Sequence, residues 1–443
     1  MLVTLLTLLA LSWLPEINIG QWSSRSIDLL ADMRSDTALT ADQVDLKQLA
    51  KERTLLRVDT CRPGMTCIDD MADTTDQGMT PLYDALTHID SLDRPVRIAV
   101  LGDSYIEGDI LTCDLRELLQ EHYGGCGVGF VPVNCVAAGF RRTVITTRSG
   151  WEDFHANEKK GYGQPWANIT GNYFRGSSGC TFEMTGGTFR SRVDTCQSST
   201  LYFMGNGSVP VTATVNGADT HQFTATVNGG VQSVTVKGKI GKVRWSLNGS
   251  SSGMMFLGAT MDCDRGVLVD NYSLRSSTGM HLAQITEEMF ANYENSRHYD
   301  LVIIMFGLNV AGRRSSKFEL YCERMTQAIT AMKKTMPHTG FLLVTAGDRD
   351  ERAGGGFRTM AGVKSLIKVQ QQLAFDNRVA FWNLYEAMGG EGSVARMTKE
   401  HMANLDYTHI NFEGGKKLAR LLYDAIVWGQ ENYRAQLEKG GGM

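Results

Sequence analysis

Between Gly266 and Trp428 the chain alternates short apolar runs with stretches of helical spacing. The runs are Val267–Val269, Leu301–Phe306, Phe341–Thr345 and Val379–Trp382, and helices are expected around 281–293, 318–336, 363–375 and 413–428. Runs without polar alternation mark strands buried on both faces, and strand-helix alternation places such strands in a parallel sheet covered by helices on either side. A further run of this kind lies far upstream, Arg97-Ile98-Ala99-Val100-Leu101, and it stops at Gly102-Asp103-Ser104-Tyr105. A buried strand that breaks off in this way presents one hydroxyl from the turn beyond it. Behind it, Asp109 is the expected N-cap of a helix built on Ile110, Leu111, Leu115, Leu118 and Leu119.

The intervening stretch has a different texture. From Trp151 to Cys263, Gly, Ser, Thr and Asn are frequent, and alternating segments appear at Val209–Val215, Gln222–Val227 and Val231–Val236. Asn216-Gly217 and Asn228-Gly229-Gly230 separate them, which is hairpin chemistry. Residues 151–263 are therefore expected to form an inserted all-β sandwich that splits the α/β domain into 96–150 and 264–435. The glycines from Gly124 to Gly129 follow a helix instead of opening one after a strand, so they read as turn residues and not as a phosphate loop. Residues 21–95 read as an N-terminal extension, with helices expected over 44–52 and over 81–92, where Pro81 suits a first turn.

A net charge of −4 with no basic block argues against nucleic acid as a partner. Residues 1–20 contain an apolar run too short to span a bilayer and suited to the core of a secretory signal, although no Lys or Arg precedes it. Export without an integral membrane span is the expectation. Nine cysteines suit an oxidising compartment and leave at least one unpaired; Cys61 with Cys67 and Cys180 with Cys196 are the pairs to test. There is no CxxC pair or Cys/His cluster at zinc spacing, and neither a metal nor a cofactor is expected.

A serine hydroxyl is a weak nucleophile until a base takes its proton. Near the C-terminus stands Asp406-Tyr407-Thr408-His409. Three residues apart on a turn, the carboxylate can hold one imidazole nitrogen while the other faces a serine, although the same pair also suits a helix cap. Asn309 follows the run Leu301–Phe306, at the strand end where reacting groups gather in open α/β sheets. Its amide is a candidate oxyanion donor.

Gly102-Asp103-Ser104, Gly307-Leu308-Asn309 and Asp406-x-x-His409, in this order and each at the end of its element, resemble the separated blocks of the SGNH/GDSL hydrolases. The resemblance covers about half of the chain. It implies a three-layer α/β/α flavodoxin-like fold, Ser104 as nucleophile, His409 as base and Asp406 as its orienting carboxylate. The oxyanion would be held by the backbone N–H of Ser104, the amide of Asn309 and one further backbone N–H. The family usually has Gly at that last position, where this chain has Ser276, and its third block reads Asn309-Val310 in place of the commoner Asn-Asp. A β module inserted between the first two blocks, with expected export, is similar to the periplasmic peptidoglycan O-acetylesterases, whose insertion resembles a carbohydrate-binding module. Leu101–Asp109 and Asp406–Leu421 are also similar to exported members of Bacteroidetes type.

The partner so implied is an O-acetylated glycan, peptidoglycan foremost, met in the periplasm or cell envelope. Tyr105, where relatives often carry His, and Arg349 or Arg352, in the loop Ala346–Gly356, are candidate substrate contacts, although that loop also reads as a solvated surface segment. Trp151, Tyr162, Trp166 and Tyr173 form a candidate sugar-stacking platform, or else part of a β core. An acetylesterase for other polysaccharides and a glycan-binding protein with decayed catalysis are the competing readings.

Overall fold

The structure, a computed structural model, describes residues 61–72, 77–158, 161–312 and 317–440, together with the antiparallel pair Asn18–Ile19 and Trp22–Ser23. The signal segment expected over 1–20 falls almost entirely outside the described residues, as does the helix expected over 44–52. The chain divides after Thr60 into two units, and the second holds every feature described below.

Five strands pair in parallel in the order Val267–Ser273, Val96–Gly102, Leu301–Met305, Gly340–Val344, Ala380–Trp382. Asp69–Asp70 closes the far edge antiparallel. All residues of Leu301–Met305 and Gly340–Val344 are buried, which is why these runs are unbroken by polar residues: neither face meets water. Helix Phe412–Gly440 packs on Thr80–Thr87 and Thr112–Tyr123, while Glu319–Thr335 packs on Glu287–Arg297 and Ala361–Asp376. The strand that is first among the five in the chain lies between the second and third, so the winding reverses there. Open parallel sheets leave a crevice at such a reversal, outside the carboxyl ends of the strands. Ser104, the turn after Ser273 and Asn309 follow the carboxyl ends of these three strands.

The helix behind the nucleophile turn begins at Thr112, and Asp109 does not cap it as expected. Asp109 has φ +70°, and its buried carboxylate lies 2.9 Å from Arg116 and 3.1 Å from Arg141. Two cations and the hydroxyls of Thr112 and Thr143 occupy the oxygens that a cap would use. Arg116 also donates to the carbonyl of Val269, tying the helix to the neighbouring strand.

The β-rich stretch forms one continuous seven-stranded sheet of antiparallel pairs, running from Gly129–Pro132 to Met254–Met261. Its first strand thus precedes Trp151. Cys196–Val215 and Asp219–Ile240 form a long hairpin joined by the three residues 216–218, where Asn216 and Gly217 have φ of 51° and 80° and Ala218 N–H closes the turn onto the carbonyl of Val215 at 3.1 Å. Asn228-Gly229-Gly230, expected as a second turn, lies inside the strand as an irregularity. The pairing slips opposite Met204–Asn206, where Gly205 also has positive φ, so both strands bend together without parting. One half of Cys196–Val215 then pairs with Met254–Met261 and the other with Lys242–Leu247. Trp245, Phe182, Phe203 and Phe256 fill the core of this unit.

Cys61 pairs with Cys67 as anticipated, and Cys126 with Cys263. Cys180 and Cys196, the other pair to test, are corrected: both are free and buried in the β core, where they pack as small hydrophobes. Trp151 and Tyr173 likewise belong to packed surfaces, Trp151 edge-on to Phe256 and Tyr173 stacked on Tyr162.

Candidate active site

Gly102 ends its strand where a Cβ would meet Ile106 at 2.9 Å and the carbonyl of Met305 at 3.0 Å, so the chain turns there without a side chain. Asp103 follows, buried, with one oxygen accepting from the backbone of Tyr105 at 3.1 Å and the other from the Asn309 amide at 3.2 Å. Burial pushes its carboxyl up to about 6, against the pull of those donors and of His409. Ser104 is 7% exposed at the sheet's reversal point.

His409 reaches it from the far end of the chain. Nε2 of His409 lies 3.0 Å from Ser104 Oγ, and Nδ1 lies 2.7 Å from Asp406 Oδ2. The backbone N–H groups of Thr408 and His409 both donate to the other Asp406 oxygen at 3.0 Å. Partial burial works against ionisation of Asp406, but these N–H groups and the imidazole together hold its carboxyl below the usual range. A carboxylate so fixed selects the tautomer with hydrogen on Nδ1 and leaves Nε2 to accept the serine proton. The turn is tight, with Tyr407 at φ 54°, and Asn404 donates to the carbonyl of His409 at 2.8 Å.

Asn309 does arrive beside the serine turn, but its two amide hydrogens are engaged, one by Asp103 and one by the carbonyl of Ser277 at 3.0 Å. An oxyanion there would have to share one of them. Ser276 has φ +60°, the left-handed conformation that the glycine of the resemblance would take. Its turn is placed by register, because Ser273 pairs with Gly102 and Leu274 donates to the carbonyl of Gly102 at 2.9 Å.

Among the described residues no group of three or more His, Cys, Asp or Glu is arranged to hold a metal, and no helix is long and apolar enough to cross a membrane.

One of the expected contacts, and the loop that carries the other, need correction. Tyr105 is 2% exposed, with its hydroxyl 3.4 Å from the carbonyl of Asp348, so its ring fills the core beneath the serine and is not open to a substrate. The loop Ala346–Gly356 is not free either, because Asp350–Ala353 and Gly356–Thr359 pair as a hairpin. That hairpin abuts the histidine turn: Asp350 N–H donates to the carbonyl of Tyr407 at 3.0 Å, and Phe357 stacks on Tyr407. Arg349, half-buried, stands at its base, and Arg352 is exposed with its guanidinium over Phe357.

No family model matches the chain, and no curated protein matches it. Among solved structures, one titled as a peptidoglycan O-acetylesterase in action superposes with a TM-score of 0.69, over 82% of this chain and 99% of that one, at 18% identity. The chain has the fold of that esterase. Family two carbohydrate esterases from Cellvibrio japonicus and Clostridium thermocellum match over 64% and 59% of this chain and 99% and 95% of theirs. Their identities are 12% and 11%, each with a TM-score of 0.25.

Within this fold, residues far apart in the chain meet beside the serine turn, a pairing that no local signal announces. Glu107 and Arg275, 168 positions apart, form a two-point ion pair at 2.6 and 2.5 Å beside Ser276. Asn157 of the β unit donates to the Arg275 carbonyl. An open depression of about 210 Å³, lined by Glu107, Val136, His155 and Ser276, adjoins this turn, and a second of about 440 Å³ adjoins Ser277 and Thr278. No periodicity or local motif signals such pairs.

Proposed function

We propose that this chain is a serine esterase that removes O-acetyl groups from a glycan, peptidoglycan foremost, through an acyl-enzyme. The observation that carries the reading is the alignment of Ser104 Oγ, the His409 ring and Asp406 at 3.0 and 2.7 Å. In this reading Ser104 attacks the acetyl carbonyl as Nε2 of His409 takes its proton, and Asp406 stabilises the imidazolium. The N–H groups of Ser104 and Ser276 donate to the developing oxyanion, each contributing about 3 kcal/mol, and the Asn309 amide joins them by sharing a hydrogen that Asp103 or Ser277 otherwise holds. His409 then returns the proton to the departing sugar oxygen. Water, activated by the same imidazole, attacks the acyl-enzyme and releases acetate.

The sheet order and the two groups of packed helices support a flavodoxin-like α/β/α SGNH domain made of 96–150 and 264–435, with the β unit as its insertion. Export to the periplasm or envelope, with the first 20 residues as signal, completes the reading. A catalytically decayed glycan-binding protein is favoured by one observation, the prior engagement of both Asn309 hydrogens.

The test is acetate release from O-acetylated peptidoglycan and from acetylated xylan by wild type and Ser104→Ala. Release from peptidoglycan that falls at least about 10³-fold in the variant is the expected result. Release mainly from xylan keeps the mechanism and moves the substrate. No serine-dependent release from either glycan, or from a small activated acetate ester, overturns the esterase reading in favour of binding.

A further inference from the structure

Ser276 holds a backbone conformation that glycine takes freely and an L-residue takes only under constraint. The constraints visible from the α/β side act on its neighbours. Leu274 N–H bonds the carbonyl of Gly102 at 2.9 Å, Ser277 N–H closes the turn onto the carbonyl of Leu274 at 3.1 Å, and Asn309 holds the Ser277 carbonyl. None of these fixes the peptide group between Arg275 and Ser276.

That peptide is gripped from elsewhere. The Arg275 guanidinium is pinned by both oxygens of Glu107, whose side chain is 9% exposed. The Arg275 carbonyl accepts from Nδ2 of Asn157, just past the strand Val144–His155 of the β unit. A trans peptide is a rigid plane whose C=O and N–H point in opposite directions. Whatever holds the Arg275 oxygen therefore sets the aim of the Ser276 N–H. A hydrogen bond accepted by the carbonyl also polarises the N–H at the other end of the same amide.

We propose that Asn157, with the Glu107–Arg275 ion pair, is a positioning residue for the oxyanion donor: it locks the Arg275–Ser276 peptide so that the Ser276 N–H faces the reacting carbonyl. The inference rests on the esterase reading. It makes the β unit part of the catalytic machinery, with a role beyond gripping glycan, because one of its side chains holds the strained turn. Glycine at 276 would need little such help. Serine there makes the clamp necessary.

The experiment uses the full chain and 4-nitrophenyl acetate, a substrate too small to engage a glycan surface. Steady-state kcat and KM and the melting temperature are measured for wild type, Ser104→Ala, Asn157→Ala, Ser276→Gly and the Asn157→Ala/Ser276→Gly pair. Asn157→Ala is expected to lower kcat about tenfold with KM within about twofold, the signature of a lost transition-state contact. Its melting temperature should stay within about 2 °C of wild type. In the Ser276→Gly background the same substitution should cost about twofold or less, because glycine keeps the turn without the clamp. A general folding defect would not be cured by a change at one turn residue. Equal losses in both backgrounds, an unchanged kcat, or a rise in KM alone would overturn the positioning role while leaving the esterase reading intact. Absence of Ser104-dependent hydrolysis in wild type would overturn both.

Discussion

Asp103 sits at the centre of the site in sequence and in space, yet the proposed mechanism gives it no step. It is fully enclosed between the serine turn and Asn309, and burial raises its pKa from 3.8 to about 6. The native state therefore holds this proton more tightly than the unfolded chain does. Its stabilising contribution is complete below about pH 4 and is lost as pH rises toward 6, a change of about 3 kcal/mol. Asp103→Asn cannot ionise, so chemical denaturation at pH 4 and pH 7 should show the difference in stability moving toward the variant by up to that amount. A difference independent of pH would mean that Asp103 titrates alike in the native and unfolded states, its pKa not raised by folding. His281 runs the other way. Burial lowers its pKa to about 4 beside the Ser277 hydroxyl, so its contribution is present at neutral pH and fades as pH falls from about 6.5 to 4.

Among the elements, the long hairpin of the β unit shows where local rules succeed and where they need context. Asn216-Gly217 turns the chain as its residue types predict, whereas Asn228-Gly229-Gly230 is carried within a strand because the partner strand bends at the same level. Gly230 has φ +66°, and a Cβ on it would lie 2.6 Å from the side chain of Asn292 on helix Glu287–Arg297. Gly230→Ala should destabilise the protein by about 1 to 3 kcal/mol, read as a lower denaturation midpoint with unchanged slope. Gly217→Ala has open space around it and should cost less, only its backbone strain. The hairpin Asp350–Thr359 is the other element that sequence reading left as a loop. Its strands are short and polar, and its order comes from contacts made far away in the chain, such as Phe357 on Tyr407.

For the whole molecule, what matters is how the β unit is joined to the parallel sheet. Cys126 and Cys263 flank the unit's first and last strands, and the bond between them closes a loop of 137 residues at its base. Just beyond, the buried guanidinium of Arg297 bridges Asp262 at 2.7 Å and Asp270, joining the end of the β unit to the helix and strand of the other part. The double substitution Cys126→Ser/Cys263→Ser should lower the unfolding free energy by about 2 to 5 kcal/mol, and dithiothreitol should reduce wild type toward the variant's melting temperature. Equal melting temperatures with and without reductant would show that the bond adds nothing to the fold.

The parallel strands, the change of texture after Trp151 and the residues Ser104, Asn309, Asp406 and His409 were all legible in the amino-acid order. Each rests on a local signal: an unbroken apolar run, an alternating segment, or a turn motif at a strand end. Tyr105 misled because its place beside the serine says nothing about which way its ring points, and packing under Gly347 sends it inward. Cys180 and Cys196 misled because spacing along the chain does not bring two sulfurs together. What only the tertiary structure decided is the set of contacts between distant segments: Asp103 with Asn309, Glu107 with Arg275, Asn157 with the turn of Ser276, Arg297 with two aspartates. Backbone preference is a property of a few neighbouring residues and can be read from them, whereas a buried charge or a strained turn is satisfied by whichever partner the completed fold brings within reach.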